Sequence, residues 1–265
     1  MSIHPTVIID KTAEISPEVE IGPYCYIGPQ VIIEPGCLIG PQVVILEGTR
    51  IDKNCSIYPG AIIGGKPQDY KFKDTPSFVE IGEGNIIREY VTIHRSSEEG
   101  GKTVIGNNNF LMAYTHIAHD CKIGNQVVIT NYTGLSGYVT VEDKAIISGY
   151  VAIHQFCRVG ELAIISAQTG LSKDIPPFMI GEGRPCLIRG INAIGLRRNG
   201  IPPKVRLDIQ RAYRILFRSQ LNTSQALERI KEEIETGREI AHLISFIESS
   251  QRGIHKAKGL MEGEE

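Results

Sequence analysis

The chain has 265 residues, 42% of them hydrophobic, and its 28 lysines and arginines against 30 aspartates and glutamates leave a formal net charge of −2. That length allows one large core plus a small second one, and the near-neutral balance offers a nucleic acid no basic surface to hold. No stretch approaches the roughly 20 apolar residues of a membrane-crossing helix, and residues 1–30 hold no basic segment followed by an apolar run, so the expected location is cytoplasmic.

From its first residues the chain repeats. Isoleucine returns every sixth position at Ile9, Ile15, Ile21, Ile27, Ile33, Ile39, Ile45, Ile51, Ile57 and Ile63, then at Ile81, Ile87 and Ile93, and the phase continues from Ile105 to Leu171. Of the 29 positions stepped by six from Ile3 to Leu171, only Asp69, Thr75 and Glu99 are not Ile, Leu or Val. A six-residue period suits neither an amphipathic helix nor simple alternation. It predicts an all-β solenoid over residues 1–189, a left-handed parallel β-helix of hexapeptide repeats in which one hexad makes one face and three faces close a coil. Residues n and n+18 then stack about 4.8 Å apart, and each buried aliphatic side chain contributes very roughly 1.5–3 kcal/mol. The glycines after the ladder position (Gly22, Gly28, Gly40, Gly64, Gly82, Gly106, Gly124, Gly160) are expected to turn the corners, where side-chain-bearing residues are strained. Cys25, Cys37, Cys55, Cys121, Cys157 and Cys186 form no CxxC pair and read as small buried thiols.

Two excursions interrupt the ladder, at 65–79 and 95–103, and the phase resumes after each. Gln68, Asp69 and Lys71 in the first fit a polar loop beside a site and equally a solvated surface. Next comes His116-Ile117-Ala118-His119-Asp120, whose isoleucine belongs to the ladder while both histidines face outward. Counting by eighteen from His119 reaches Gly137 and then Gln155, which places an imidazole, a glycine amide and a carboxamide in one column, with His154 beside it. Such a column suits base catalysis next to an oxyanion, with Asp120 orienting the ring. Zinc bound by histidines, with His94 or His154 as further donors, is the competing chemistry, and a non-catalytic scaffold is the bland alternative. Past Leu171 the ladder stops, and a helical domain is expected over 190–265. Pro202 and Pro203 open a helix carrying Val205, Ile209, Ala212, Tyr213, Leu216 and Phe217, Thr223 or Ser224 caps a second, and Ile240, Leu243, Ile244 and Ile247 mark a third. Arg197 and Arg198 read as phosphate donors or as an exposed helix face. The tail 256–265 lacks apolar periodicity and is expected to fray.

The segments IGGKPQDYKF (63–72), VTIHR (91–95), YTHIAHDC (114–121), IHQFC (153–157), DIPPF (174–178) and GINAIGLRRNG (190–200) resemble the UDP-N-acetylglucosamine O-acyltransferases of lipid A biosynthesis over nearly the whole chain. The resemblance implies transfer of an (R)-3-hydroxyacyl group from acyl carrier protein to the 3-position of a UDP-linked glucosamine, by a homotrimer with each site between two prisms. It implies no metal or redox cofactor, since phosphopantetheine arrives on the carrier protein. His119 matches the general base, Asp120 its orienting carboxylate and the Gly137 amide the oxyanion donor. Gln68, Asp69, Lys71, His116, His154 and Gln155 match the region that positions sugar, diphosphate or pantetheine, and Asn192, Arg197 and Arg198 match nucleotide-phosphate contacts. Three positions depart from the pattern: Tyr138 replaces a histidine near the sugar, Ile194 a glutamate and Asn199 the second arginine of a pair. These departures suggest the 3-amino sugar analogue as an alternative acceptor. Ala167 stands at the hydrocarbon ruler, where its methyl is expected to favour donors of about 10–12 carbons. The N-acyltransferase that acts on the 2-amine of the sugar, and a zinc-dependent hydratase on the same prism, are the remaining alternatives.

Overall fold

The computed structural model describes residues 2–257. Sheets of eleven, nine and eight strands, parallel except for the antiparallel pair Met179–Glu182 and Leu187–Ile191 that ends the first, form the three faces of a prism wound as a left-handed β-helix. The first face begins at Ser2–Ile3, the second at Ile8–Ile9 and the third at Glu14–Ile15. Ile3 pairs with Ile21, Ile117 with Leu135 and Leu135 with Ile153, so eighteen residues make one turn. Each short strand turns its ladder aliphatic inward and the residue before it outward.

A second inward column accompanies the first. The residue two places before each ladder position is small and buried, as in Val19, Cys25, Val31, Cys37, Val43 and Cys55, because the prism narrows there. This column holds Cys121 and Cys157 as well, and all six cysteines are buried free thiols.

The excursions obey the same arithmetic. Ile63 pairs with Ile93, so two whole hexads are looped out between them, and Ile93 pairs with Ile117, so one is. Asp69, Thr75 and Glu99 are the would-be ladder residues of those looped hexads, which is why they alone are polar. Both loops leave the second face and rejoin the third, at the same corner of the prism.

Glycine turns the corners differently from expectation. The left-handed residue lies two positions later, with φ near 60° at Tyr24, Asn54, Tyr114, Asp120, Tyr138 and Tyr150. Among the eight glycines expected at the corners, only Gly64 (φ +83°) is left-handed; the others make room for the neighbouring coil, since a Cβ on Gly106 would stand 2.5 Å from the Gly124 carbonyl oxygen. At the corner between first and second faces, Tyr90, Tyr114, Tyr132 and Tyr150 stack with centroids 5.1, 4.9 and 5.0 Å apart, each about half exposed.

Four helices follow: α1 (Ala193–Arg198), α2 (Pro203–Arg218), α3 (Thr223–Glu233) and α4 (Arg238–Glu248). The short α1 carries too little periodicity to be read from sequence. The cap of α3 is Asn222, one residue earlier than expected: it accepts from the Gln225 amide at 2.9 Å while the Gln225 side chain accepts from the Asn222 N–H at 3.2 Å. Arg158 lies 3.9 Å over the Phe246 ring and Glu142 bonds His242 at 2.7 Å, which seats α4 on the last coils. No helix among the described residues is long and apolar enough to cross a membrane. The expected division after residue 189 falls inside the strand Leu187–Ile191, and the chain returns to bond Asp174 and Ile188 through Gly253 and Lys256. Lys256 and Ala257 are thus held in place, and the remainder of the expected frayed tail lies outside the described residues.

His255 closes this return. Its Nε2 accepts the N–H groups of Ser172 (3.3 Å) and Lys173 (3.2 Å), and burial pushes the imidazole down to about 4. The unfolded chain, near 6.5, then binds the extra proton between those two values, so stability is full above pH 6.5 and falls as pH drops toward 4. His255→Asn, which can still accept but cannot titrate, is expected to remove up to about 1.4 kcal/mol per pH unit of that slope in denaturant unfolding followed from pH 7 to 4.

Candidate active site

Everything polar that the two loops bring lies at one corner, between the second and third faces. The column there runs from Gly65 through Arg95 and the His119-Asp120 turn to Gly137-Tyr138 and Gln155-Phe156: Arg95 N–H donates to Gly65 O at 2.9 Å, Tyr138 N–H to His119 O at 3.0 Å and Phe156 N–H to Gly137 O at 3.1 Å. Asp120, Tyr138 and Phe156 take the left-handed corner position, with φ 62°, 61° and 64°. His119 and Gly137 occupy the residue before it in successive coils.

His119 Nδ1 stands 2.8 Å from Asp120 Oδ2. A carboxylate only accepts, so Nδ1 carries the proton and Nε2 keeps its lone pair. The ring lies against the Gly137 Cα: a Cβ built there would be 2.5 Å from Cε1 and 2.7 Å from Nε2. The Gly137 N–H donates to no group among the described residues. Asp120 is clasped by the second loop, accepting from the Ser96 hydroxyl, the Ser97 N–H at 3.0 Å and the Ser97 hydroxyl at 2.7 Å. Burial raises its pKa, but the Ser96, Ser97 and His119 bonds outweigh burial and hold the carboxyl below its usual range. His119 faces outward as expected, yet its side chain is only 13% exposed.

Two more imidazoles stand on the second face, His116 on the same coil as His119 and His94 on the coil below. His116 Nδ1 bonds Thr92 Oγ1 at 2.7 Å, and His94 meets His116 edge-on with centroids 4.8 Å apart. Burial, then repulsion from His119, lowers His116; burial, then His116 and His119, takes His94 down to about 4. Both stay neutral near pH 7. No group of three His, Cys, Asp or Glu among the described residues is placed to hold a metal ion.

The other expected residues are dispersed. Asp69 Oδ1 accepts the Lys71 N–H at 2.9 Å, a turn within the first loop, and Gln68 and Lys71 point to solvent. That loop is tied to the second by Arg95, which bonds Asp74 at 2.9 Å and covers the Phe72 ring at 5.4 Å. His154 and Gln155 are exposed one coil above Gly137. Asn192, expected at a nucleotide phosphate, is buried and caps α1, with Oδ1 accepting from the Gly195 N–H at 2.9 Å and Nδ2 donating to Leu162 O at 2.8 Å. It sits at the corner between third and first faces, with Arg197 and Arg198 exposed just beyond. Ala167 is exposed at the corner between first and second faces. Tyr138 turns its hydroxyl to Ser97 and Glu98. Ser96, Ser97, Glu98 and Thr92 escaped the sequence reading; register arithmetic across the looped hexad would have put 95–101 under His119.

A cleft of about 740 Å³ lies on the outer surface of the first coils around Glu20, Leu38 and Tyr58, far from these groups. A smaller one of about 360 Å³ is lined by Asp120, Lys122, Tyr138 and Arg158 and adjoins the site. The site is placed by the bonded His119-Asp120 pair rather than by the size of a hollow.

Known proteins match this chain along its length. A family model described as UDP N-acetylglucosamine O-acyltransferase, domain 2, covers residues 174–255, a bacterial transferase hexapeptide model covers 102–137, and a GMPPB C-terminal domain model covers 3–70. Proteins named acyl-acyl-carrier-protein–UDP-N-acetylglucosamine O-acyltransferase are similar: that of Aquifex aeolicus is 52% identical over 96% of this chain and 98% of its own length, that of Thermodesulfovibrio yellowstonii 49% over 95% and 98%. Among solved structures, the UDP-N-acetylglucosamine acyltransferase of Bacteroides fragilis superposes with a TM-score of 0.93 at 44% identity, covering 95% of this chain and 98% of that one. That of Francisella novicida gives 0.94 at 38%, covering 97% and 95%.

The contact between Gly137 and the imidazole is directly testable. A methyl at 137 has no room beside the ring, so Gly137→Ala is expected to swing His119 off Asp120. A crystal structure of the variant with the 2.8 Å bond intact would contradict it.

Proposed function

We infer what this protein does from its family and from one contact: the chain belongs to the UDP-N-acetylglucosamine O-acyltransferase family, and its His119 is held by Asp120 with Nε2 free. It is an acyltransferase that moves an acyl group from acyl carrier protein to UDP-N-acetylglucosamine, the first step of lipid A biosynthesis. His119 Nε2 takes the proton of the sugar 3-hydroxyl as that oxygen attacks the thioester carbonyl. The Gly137 N–H receives the negative charge that gathers on the carbonyl oxygen, a donor worth about 3 kcal/mol of barrier where well placed. The carbon–sulfur bond then breaks, the carrier's thiolate leaves, and the imidazolium returns its proton to it. Asp120 stabilises the imidazolium throughout. No resident cofactor is called for by these steps. The cytoplasm is the proposed location. The 3-hydroxyl is preferred over the 3-amino analogue as acceptor because the relatives are named O-acyltransferases.

One chain holds the pieces at three different corners: His119 at one, Arg197 and Arg198 at the next, Ala167 at the third. A threefold assembly with the tyrosine corner toward its axis resolves this. The second face of one copy then opens toward the first face of the next, and His119 looks across at the neighbour's arginines. The outer surfaces support that orientation: apart from Ser2, Glu20 and Ser56 the first face presents Leu38, Ile86, Phe110, Val128, Ile146 and Ile164, whereas the third presents Glu14, Arg50, Glu80, Lys122 and Arg158 beside Ile32, Val104 and Thr140. The acyl chain would run inward between the apolar faces and end at Ala167. Light scattering is expected to give the mass of three chains, and Tyr132→Asp, which sets three charges near the axis, is expected to lower that mass and the activity together.

The deciding experiment is an acyl-transfer assay offering both acceptor sugars and carrier-protein donors of graded length. The wild type is expected to prefer the 3-hydroxyl sugar and donors of about 10–12 carbons. His119→Ala is expected to cost about 10²–10⁴ in rate; a variant that kept its rate would exclude His119 as the base.

A further inference from the structure

We propose that Tyr138 is a positioning residue for His119, acting through its hydroxyl on Ser97 and Asp120 and through its ring on the imidazole. The inference rests on His119 being the base. The phenol oxygen stands 3.1 Å from Ser97 Oγ and 3.0 Å from Glu98 Oε1. Ser97 Oγ in turn lies 2.7 Å from Asp120 Oδ2, the same oxygen that holds His119 Nδ1 at 2.8 Å. The Tyr138 ring meets His119 edge-on with centroids 5.4 Å apart, and its other face stacks on Phe156 at 4.8 Å.

Asp120 can only accept, so the single Ser97 hydroxyl proton points to it and Ser97 Oγ faces the phenol as an acceptor. The phenol has one proton and two acceptors, Ser97 Oγ and the Glu98 carboxylate, and shares the proton between them. Through Ser97 it reaches Asp120, with His119 donating from the opposite side, and Glu98 keeps the hydroxyl turned toward the loop. Burial pushes the phenol's pKa up, so it remains a neutral donor over the working range. The backbone takes part as well: at φ 61° Tyr138 occupies the left-handed corner position one coil above Asp120, which sends its side chain over the Ser96–Glu98 loop. A hydroxyl engaged in this way serves the loop, and the ring walls one side of the imidazole. Between them they remove two freedoms from the base, rotation of its ring and drift of its carboxylate, and neither restraint requires contact with a substrate.

Tyr138→Phe keeps both ring contacts and deletes only the hydroxyl. Its kcat is expected to fall about five- to tenfold, the size of one hydrogen bond, with KM for sugar and donor unchanged. Ser97→Ala is expected to lose at least as much, and the double variant no more than Ser97→Ala alone, because both act through one chain. Three results would each overturn the proposal: a wild-type kcat in Tyr138→Phe, a raised sugar KM with kcat preserved, which would make the phenol a substrate contact, or losses that multiply in the double variant. Full activity in His119→Ala would overturn the base and this proposal together, whereas a His119→Ala loss beside an unaffected Tyr138→Phe would overturn the positioning role alone.

Discussion

The constraint on which the molecule depends is that every inward side chain must return to the same phase after every departure from the prism. A ladder residue finds its neighbours one coil above and below, and a slip of a single residue would turn a buried isoleucine to solvent. Loops are therefore tolerated only as whole hexads, two between Ile63 and Ile93 and one between Ile93 and Ile117. The core pays nothing for them. What they change is the corner they leave from, and both leave from the corner that carries His119.

That coincidence turns an outer edge into an enclosed site. Without the loops, His119 and Asp120 would stand on an open corner, where a solvated ion pair contributes little. With them, Ser96 and Ser97 supply donors to Asp120 and leave it 9% exposed, and Arg95 fastens one loop to the other through Asp74. The electrostatics follow from burial. His94 and His116 are kept neutral by burial, so neither adds positive charge beside the Asp120 carboxylate and its imidazole.

The parts of this arrangement that were legible in the sequence are those governed by a period. The ladder, the turn of eighteen residues, and the stacking of His119 under Gly137 follow from counting, and the three long helices follow from their apolar stripes. The parts that were not legible depend on what a side chain finds once folded. Nothing in Asn192 distinguishes a helix cap from a phosphate ligand until α1 is seen to begin at Ala193. The left-handed corner falls on Tyr, Gln, Asn and Asp more often than on Gly, because the solvent-facing corner is short of steric neighbours and the stacked coil holds each residue in place. The serines around Asp120 were hidden by the looped hexad, which breaks the count by eighteen at the point where it mattered.

The same spacing bears on the chemistry itself. A base and an oxyanion donor that serve one acyl transfer must be separated by the width of the reacting atoms. The nucleophile sits a hydrogen bond from the base, the carbonyl oxygen sits a hydrogen bond from the donor, and the two oxygens share the carbon between them. The imidazole starts from one coil and rises to lie against Gly137 on the next, so the rise of one coil and the reach of one side chain together bring Nε2 beside the Gly137 backbone. The buried ladder makes that rise rigid. In the proposed reaction glycine at 137 serves twice: the imidazole needs the space of its missing Cβ, and an incoming carbonyl needs its N–H.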